Sequence, residues 1–300
     1  MQELMTVQEV ADYLRIKERK VYDLLAQKLI PCTRVTGKWL FPRFQIDRWL
    51  EKNSEIQHQT LAHQASSPPL LLVGSHDLLL EWALRECHFP FAIQTTGSSE
   101  GLADFINEQA MLCGLHLLDP ESEQYNIPII QQKLDNQPVV LIAWARRQQG
   151  LLVAAGNPLG IQKISDLRDK KVKLIDRQAG AGSYILLETL LQRDGISKET
   201  LTFLTQPAYS HTDIGDAIAH GKADAGIAIE AVARQFQLDF IPLVYEQFDL
   251  LIHHRHYFDT PFQSLLNFTK DKRFQEKAQE LAGYDISSLG AVRYNCQSSR

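Results

Sequence analysis

Residues 5–53 read MTVQEVADYLRIKERKVYDLLAQKLIPCTRVTGKWLFPRFQIDRWLEKN, and this stretch decides the fold of the N-terminal part. Thr6, with Glu9 three residues later, forms a capping-box pattern that predicts the start of a helix. Apolar residues recur at helical spacing over residues 7–14, and after a short break at residues 16–17 a second helix is predicted from about residue 18 to 27. The pattern therefore predicts a helix, a tight turn and a second helix.

The segment that follows predicts a β-hairpin and a third helix. Residues 34–41 alternate around Thr36-Gly37, which favours two short strands joined by a turn. Pro42 ends the second strand, and a helix then carries Ile46, Trp49 and Leu50 inward. A hairpin after two helices is typical of a winged helix-turn-helix domain.

Basic residues stand where such a domain meets DNA. Between Asp23 and Asp47 the chain has four basic residues and no acidic one. A recognition helix docks by its N-terminal residues, so long donors there reach base edges and phosphates. The candidate DNA-binding residues are Arg15, Lys17, Arg19, Lys20 and Tyr22 around the second helix, and Arg34, Lys38 and Arg43 for phosphates.

The N-terminal part resembles the excisionase/MerR-like helix-turn-helix family over nearly the whole length of that family's domain. The resemblance rests on a T-V-x-E-V-A-x-Y-L start, an I-P…G-x-W-x-F-P wing and an I-D-x-W-L end. It implies double-stranded DNA as a partner. The alternative is a small three-helix domain with an ordinary solvated charged surface.

The composition excludes several classes of protein. With 44% hydrophobic and 22% charged residues among 300, the chain is typical of a soluble globular protein of two or three domains. No apolar run follows a basic start, and the longest apolar stretches are too short to span a bilayer, so we expect no secretory signal and no membrane partner. The four cysteines show no paired spacing, which favours reduced thiols and a cytoplasmic location.

The net charge of −5 is unevenly distributed. Residues 1–55 hold ten Lys and Arg against eight Asp and Glu, a balance of +2, and the remainder therefore carries −7. An acidic body is repelled by phosphate, so any DNA contact is expected at the N-terminal domain.

The domain boundaries follow from composition and periodicity. We predict a DNA-binding domain over residues 1–53, a polar linker over residues 54–69 that ends in Pro-Pro, and a ligand-binding domain over residues 70–300. Strands alternate with helices from Leu70 onward, which indicates an α/β fold. Strand runs around residues 140–155 and 242–255 predict two crossing strands between two lobes. The predicted lobes are lobe 1, about 70–148 and 250–300, and lobe 2, about 149–249.

The C-terminal part resembles the periplasmic-binding-protein-like superfamily of type 2, in the branch found beside molybdate-responsive and molybdopterin-related proteins. The stretches that carry this resemblance are GSHD (74–77), TTGSSEGL (95–102), GLHLLDP (114–120), QGLLVAAGNPLGI (149–161), IDRQAGAGSY (175–184) and SHTDIGDAIAHGKADAGIAI (210–229). The resemblance implies a two-lobed domain that binds a small ligand in its cleft.

Four strand-to-helix junctions carry glycine and small hydroxyl residues, which place backbone N–H groups at helix N-termini, as anion sites require. The alternative is that these residues are ordinary helix caps and turns. The candidate ligand-binding residues are Ser75, His76, Asp77, Thr96, Gly97, Ser98, Ser99, His116, Arg177, Gly180, Gly182, Ser183, Tyr184, Ser210 and His211.

Neutral hydroxyl and N–H donors favour a small anionic ligand, an oxyanion such as molybdate or tungstate. The family usually has a basic residue after its Gly-Ser-Gly loop, where this sequence has Tyr184, so Arg177 is the nearest cation. Asp77 near the same edge is unfavourable for an anion unless it caps a helix.

Catalytic motifs are nearly absent, so we expect no enzyme, no catalytic residue and no cofactor other than a small-molecule effector. One GxSxG match, residues 97–101 with Ser99 at its centre, lacks an identifiable His and acid. The His-His-Arg-His run at residues 253–256 has no acidic or Cys ligand at metal spacing, so no metal site is predicted.

These observations predict a one-component transcriptional regulator that binds DNA as a homodimer and senses a small oxyanion. One alternative is an excisionase-like architectural DNA-binding factor whose body only mediates oligomerisation. Another is a molybdenum-cofactor biosynthesis enzyme with a DNA-binding N-terminal domain.

Overall fold

The computed structural model describes residues 4–27, 29–35, 38–52 and 69–296. The chain divides into two compact units, Met1–Ser67 and Pro68–Arg300. Lys28, the Thr36-Gly37 turn and all of the predicted linker except Pro69 lie outside the described residues.

The N-terminal unit is a winged helix-turn-helix. Its elements are β1 (Leu4–Met5), α1 (Val7–Leu14), α2 (Glu18–Ala26), β2 (Thr33–Val35), β3 (Lys38–Pro42) and α3 (Arg43–Lys52). β3 lies between β1 and β2 and pairs antiparallel with both. The predicted hairpin and the three helices are confirmed, and β1 adds a third strand that the sequence pattern did not indicate.

Local interactions explain where α1 begins and how the unit packs. The Thr6 hydroxyl accepts the Glu9 backbone N–H at 3.3 Å, and the Glu9 carboxylate accepts the Thr6 N–H at 2.7 Å, so the predicted capping box is present. Val10, Phe41 and Ile46 are fully buried in the core. Leu50 was predicted to point inward, which is wrong: it is 41% exposed, and among the α3 side chains that the structure describes only Ile46 belongs to the buried core cluster.

The C-terminal unit alternates strands with helices. Its strands are β4 (Leu71–Gly74), β5 (Ala92–Gln94), β6 (Leu112–Leu115), β7 (Val139–Val153), β8 (Lys173–Leu174), β9 (Thr202–Phe203), β10 (Ala225–Ile229), β11 (Asp239–His253), β12 (Tyr284–Asp285) and β13 (Val292–Asn295). Its helices are α4 (Leu78–Glu86), α5 (Ser98–Ile106), α6 (Ile127–Lys133), α7 (Asp166–Asp169), α8 (Gly182–Arg193), α9 (His211–Ala219), α10 (Glu230–Gln235), α11 (His254–Tyr257), α12 (Thr260–Phe268) and α13 (Lys272–Leu281), with a 3₁₀ turn at Lys198–Thr200.

Two long strands join the two lobes of this unit. The strand order is β5-β4-β6-β11-β7-β10-β8-β9, and β12 and β13 also pair with β7. β7 and β11 run antiparallel from the pair Asp239–Val153 to the pair His253–Val139. Lobe 1 carries β4, β5 and β6, and lobe 2 carries β8, β9 and β10. The predicted α/β fold with two lobes and two crossing strands is therefore confirmed.

The His-His-Arg-His run differs from the sequence interpretation. Residues 254–257 form α11, so the strand run predicted around residues 242–255 ends at His253. The run serves packing: His253 stacks on Phe105 with ring centroids 4.4 Å apart, and His256 Nδ1 lies 2.7 Å from Asp259 Oδ2. Within the described ranges no three His, Cys, Asp or Glu side chains are grouped to hold a metal ion. None of the described helices has the length and apolar character that crossing a bilayer requires.

Candidate functional site

Two of the predicted loops, one from each lobe, lie against each other in the C-terminal unit. A Cβ placed on Gly97 would lie 3.9 Å from Ala181 Cα, and one on Gly180 would lie 3.4 Å from Ser99 Cβ. The structure therefore brings the β5–α5 junction of lobe 1 against the β8–α8 junction of lobe 2.

The helices at these two junctions begin without a side-chain cap. The N-cap residues of α5 and α8 are Gly97 and Ala181, and neither end has a side-chain cap hydrogen bond. The other two junctions are capped, because the Asp77 carboxylate accepts the Leu80 N–H and the Ser210 hydroxyl accepts the Asp213 N–H. The uncapped N-termini of α5 and α8 thus leave backbone donors for an anion.

Three buried polar atoms near these helix starts have no hydrogen-bond partner within the described part of the chain. They are Thr96 Oγ1, Ser183 Oγ and His211 Nε2. Thr96 precedes the N-cap of α5, Ser183 is in the first turn of α8, and His211 begins α9. A buried polar group without a partner costs about 1–3 kcal/mol, so these atoms indicate a place for a bound ligand.

The protonation state of His211 follows from its neighbours. The Ile229 backbone N–H donates to His211 Nδ1 at 3.1 Å, so the proton of the neutral ring is on Nε2. Burial, together with the charges of Arg177 and Arg147, holds the pKa of His211 well below its usual value. His211 therefore presents an unpaired N–H donor and is neutral at pH 7.

Arg177 is a buried cation whose hydrogen bonds go to neutral groups. Its guanidinium donates to the carbonyl oxygens of Ala208 at 3.2 Å and Tyr209 at 3.0 Å, and to Gln178 Oε1 at 3.1 Å. Burial lowers its pKa to about 10, which still leaves it charged at pH 7. No carboxylate of the described residues forms an ion pair with it. The carboxylates of Asp213, Glu246 and Asp176 oppose the lowering of its pKa from a distance, and a bound anion would contact the guanidinium directly. We call Thr96, Arg177, Ser183, His211 and the first turns of α5 and α8 the interlobe site.

Two acidic side chains near this site, Asp77 and Glu246, share one buried cation. Arg147 lies 2.9 Å from Asp77 Oδ2 and also pairs with Glu246, and all three are buried. Trp144 Nε1 and the Tyr284 hydroxyl also donate to Asp77, at 3.0 and 2.7 Å. Asp77 therefore caps α4 and holds Arg147, and Asp77 and Glu246 together place two negative charges against the one positive charge of Arg147.

Several predicted residues have other partners in the structure. The hydroxyls of Ser75 and Ser98 lie 2.7 Å apart, and Ser98 Oγ accepts the His116 N–H at 3.1 Å. His76 Nε2 lies 2.8 Å from Glu81 Oε2. These side chains hold the loops of lobe 1 together.

Three of the remaining predicted residues, Ser99, Gly182 and Tyr184, lie in the first turns of α5 and α8. The Lys198 ammonium is 3.8 Å from the ring centroid of Tyr184, so a cation reaches Tyr184 from another element. Gly182 lies against His116, and a Cβ there would be 2.5 Å from the His116 ring. Ser99 is exposed, and Ser210 is occupied as the cap of α9.

The polar residues of the crossing strands were not predicted from the sequence. Arg147 and Gln149 alternate on one face of β7, and Glu246 is the register partner of Arg147 on β11. The Gln149 amide also donates to Glu246. Polar residues at alternate positions within otherwise apolar strands are the sequence signal that would have found them.

All eight candidate DNA-binding side chains are exposed on the N-terminal unit. Lys17 is the N-cap residue of α2, so the predicted recognition helix begins at the predicted break. Two of the cations lie over aromatic rings: Arg34 over Trp39 at 5.2 Å and Arg43 over Tyr13 at 5.0 Å. The unit thus presents positive charge around α2 and the hairpin.

Comparison with known proteins supports the division into two parts. A helix-turn-helix domain model matches residues 4–54, and the PBP superfamily domain model matches residues 82–270. The uncharacterized protein YvgK of Bacillus subtilis (strain 168) is 26% identical over 302 residues, which cover 96% of each chain.

Two solved structures share the fold of the C-terminal unit. A Clostridium perfringens protein, described as a phosphate ABC transporter substrate-binding protein with bound phosphate, has a TM-score of 0.54 at 12% identity and covers 73% of this chain and 98% of its own. The sulfate-binding protein SubI of Mycobacterium tuberculosis has a TM-score of 0.50 at 13% identity and covers 71% and 85%. At these identities the likeness shows the fold alone. The chain therefore belongs to the PBP superfamily domain family, and it carries a helix-turn-helix domain ahead of that domain.

Proposed function

We propose that this protein is a cytoplasmic transcriptional regulator, without catalytic activity, that binds DNA through its N-terminal unit as a homodimer. Its two-lobed domain binds a small oxyanion at the interlobe site. The observation that carries this proposal is the set of unpartnered donors, Ser183 Oγ and His211 Nε2 above all, beside the buried cation Arg177.

The chemistry of the interlobe site favours an oxyanion of the molybdate or tungstate type. These ions are compact, tetrahedral and fully deprotonated at neutral pH, so each oxygen accepts hydrogen bonds. The site offers hydroxyls, one ring N–H, one guanidinium and two uncapped helix N-termini. Neutral donors around one cation stabilise such an ion without a full complement of positive charge.

Ligand binding between two lobes provides the basis of a switch. An ion held by donors from both lobes binds the closed form better than the open form, and this difference shifts the equilibrium toward closure. A symmetric dimer reads two half-sites about 34 Å or a multiple apart, so a change in the spacing of the two N-terminal units alters operator affinity.

The test of the ligand is thermal unfolding of the full chain with molybdate, tungstate, sulfate, phosphate and small carboxylates. Binding at about 100 times the dissociation constant adds about 2.7 kcal/mol of stability. Ser183→Ala should weaken binding by about tenfold or more, because a hydrogen bond to a charged group is lost. Ser197→Ala, an exposed hydroxyl of the same lobe, is the matched control. Absence of stabilisation by every anion would refute the proposed ligand class.

The test of regulation uses an operator selected from random-sequence DNA. Its affinity for the full chain should change when the stabilising oxyanion is added. Equal affinity with and without the ion would favour the architectural factor, and turnover of a molybdopterin precursor would favour the biosynthetic enzyme.

A further inference from the structure

A buried ion pair links the two crossing strands next to the interlobe site. Arg147 of β7 and Glu246 of β11 are register partners, are almost fully buried and form an ion pair. Neither is one of the residues that define the interlobe site, although Arg147 Nε is also a buried donor without a hydrogen-bond partner among the described residues. The contacts that the pair makes on its two sides indicate its role.

On one side the pair is anchored in lobe 1. Arg147 Nη1 lies 2.9 Å from Asp77 Oδ2 and donates to the His76 carbonyl oxygen at 3.3 Å. Tyr284, which pairs with Arg147 in the sheet, holds the same carboxylate. The position of the guanidinium is thus set by groups from β12 and the start of α4.

On the other side the pair reaches the start of α8 through His116. Glu246 Oε2 lies 2.5 Å from His116 Nδ1. A Cβ placed on Gly182 would lie 2.5 Å from Nδ1, Cε1 and the carbonyl oxygen of His116. The first residue of α8 therefore lies directly on His116, and a rotation of that ring would displace it.

We propose that Glu246 and Arg147 are positioning residues for the interlobe site. They fix the ring of His116, and His116 is the lobe 1 surface on which the first turn of α8 lies. They place Ser183 and the backbone donors of α8 without touching the ligand. The ligand part of this inference rests on the proposed function, whereas the placement of α8 does not.

Hydrogen exchange on the full chain tests the placement without any ligand. In Glu246→Gln the amides of residues 185–187, the first hydrogen-bonded ones of α8, should exchange about tenfold faster than in the wild type. Leu265→Ala, a core truncation in lobe 1, is the control for general destabilisation and should not single out α8. His116→Asn leaves the Arg147–Glu246 pair intact and should loosen the same amides, so the test stands even if Glu246→Gln does not fold.

Molybdate affinity separates the two proposals. If the wild type binds none of the oxyanions but the variants selectively loosen α8, the proposed ligand is wrong and the positioning role stands. If the variants leave the α8 amides unchanged, or loosen α8 no more than Leu265→Ala does, the positioning role is refuted. Where the wild type binds molybdate, Glu246→Gln should also weaken that binding by about tenfold.

Discussion

Replacing Gly182 by alanine should weaken ligand binding by forcing the two lobes apart. The added Cβ would lie 2.5 Å from three atoms of His116, whereas ordinary contacts are 3.4–4 Å, so the surfaces must separate by about 1 Å. Overpacking of this kind costs about 1–3 kcal/mol. Gly182 has an ordinary helical φ, so any gain in helix propensity applies equally to the open and closed forms. The cost falls on the closed form alone, and affinity should drop by about 5- to 150-fold.

The matched control is Gly215→Ala in α9. Its Cβ would lie 2.6 Å from Phe236 and 2.7 Å from Val232, inside lobe 2. That strain is present in both the open and closed forms, so the melting temperature should fall while the oxyanion affinity is unchanged. Calorimetric titration of both variants with the stabilising oxyanion measures the difference. A Gly182→Ala protein that binds the ion as tightly as the wild type would refute the closed arrangement of α8 on His116.

Three further predictions concern other parts of the chain. Burial lowers the pKa of His253 to about 4, so between pH 7 and pH 5 the unfolded chain takes up a proton that the folded chain does not. The free energy of unfolding should therefore fall by about 2 kcal/mol over this range. Urea unfolding should show a smaller loss in His253→Phe, which lacks the titrating ring. Parallel pH profiles would contradict the assignment. Neutralising Arg19 and Lys20 together should weaken operator binding and lower the slope of log affinity against log salt concentration by about 1–2. Fluorescence anisotropy at several salt concentrations measures this slope. An unchanged slope would exclude both residues from phosphate contact. Asn126→Ala should lower the free energy of unfolding by about 3 kcal/mol in chemical denaturation. The side-chain oxygen of Asn126 accepts the Leu117 N–H, and its NH2 group donates to two carbonyl oxygens and to Asp249. A loss under 1 kcal/mol would show that water replaces these hydrogen bonds.

The parts of the fold that follow local rules were predictable from the sequence. The capping box at Thr6 depends on two residues three apart, and α2 begins at Glu18, directly after the predicted break at residues 16–17. The strand runs around residues 140–155 and 242–255 likewise indicated the two crossing strands. These features need no knowledge of distant contacts.

Features that depend on distant contacts were not predictable in the same way. β13 is four residues long and forms only by pairing with β7, more than a hundred residues earlier. The His-His-Arg-His run lies partly in a helix because β11 ends at His253, an end that the local pattern did not show.

In the candidate site too, only the features that depend on local sequence were predictable. Ser183, His211 and Arg177 were predicted from their place after strands; in the structure Ser183 Oγ and His211 Nε2 have no hydrogen-bond partner among the described residues, and Arg177 donates to neutral groups. The sequence did not show that Ser75 and Ser98 bond each other, because that contact depends on how two loops meet. The role of Arg147 likewise depends on the register of three strands.

The two crossing strands also constrain the order in which the chain folds. β7 and β11 pair along nearly their whole length, although residues 154–238, most of lobe 2, lie between them. β11 in turn is the strand that joins β6 to the rest of the sheet. Lobe 1 therefore cannot complete its sheet during synthesis until lobe 2 has emerged, and the edge of β6 stays open for that interval. Closing so long a loop costs entropy before its contacts form, so we expect the pairing of β7 with β11 to set the folding rate of this unit.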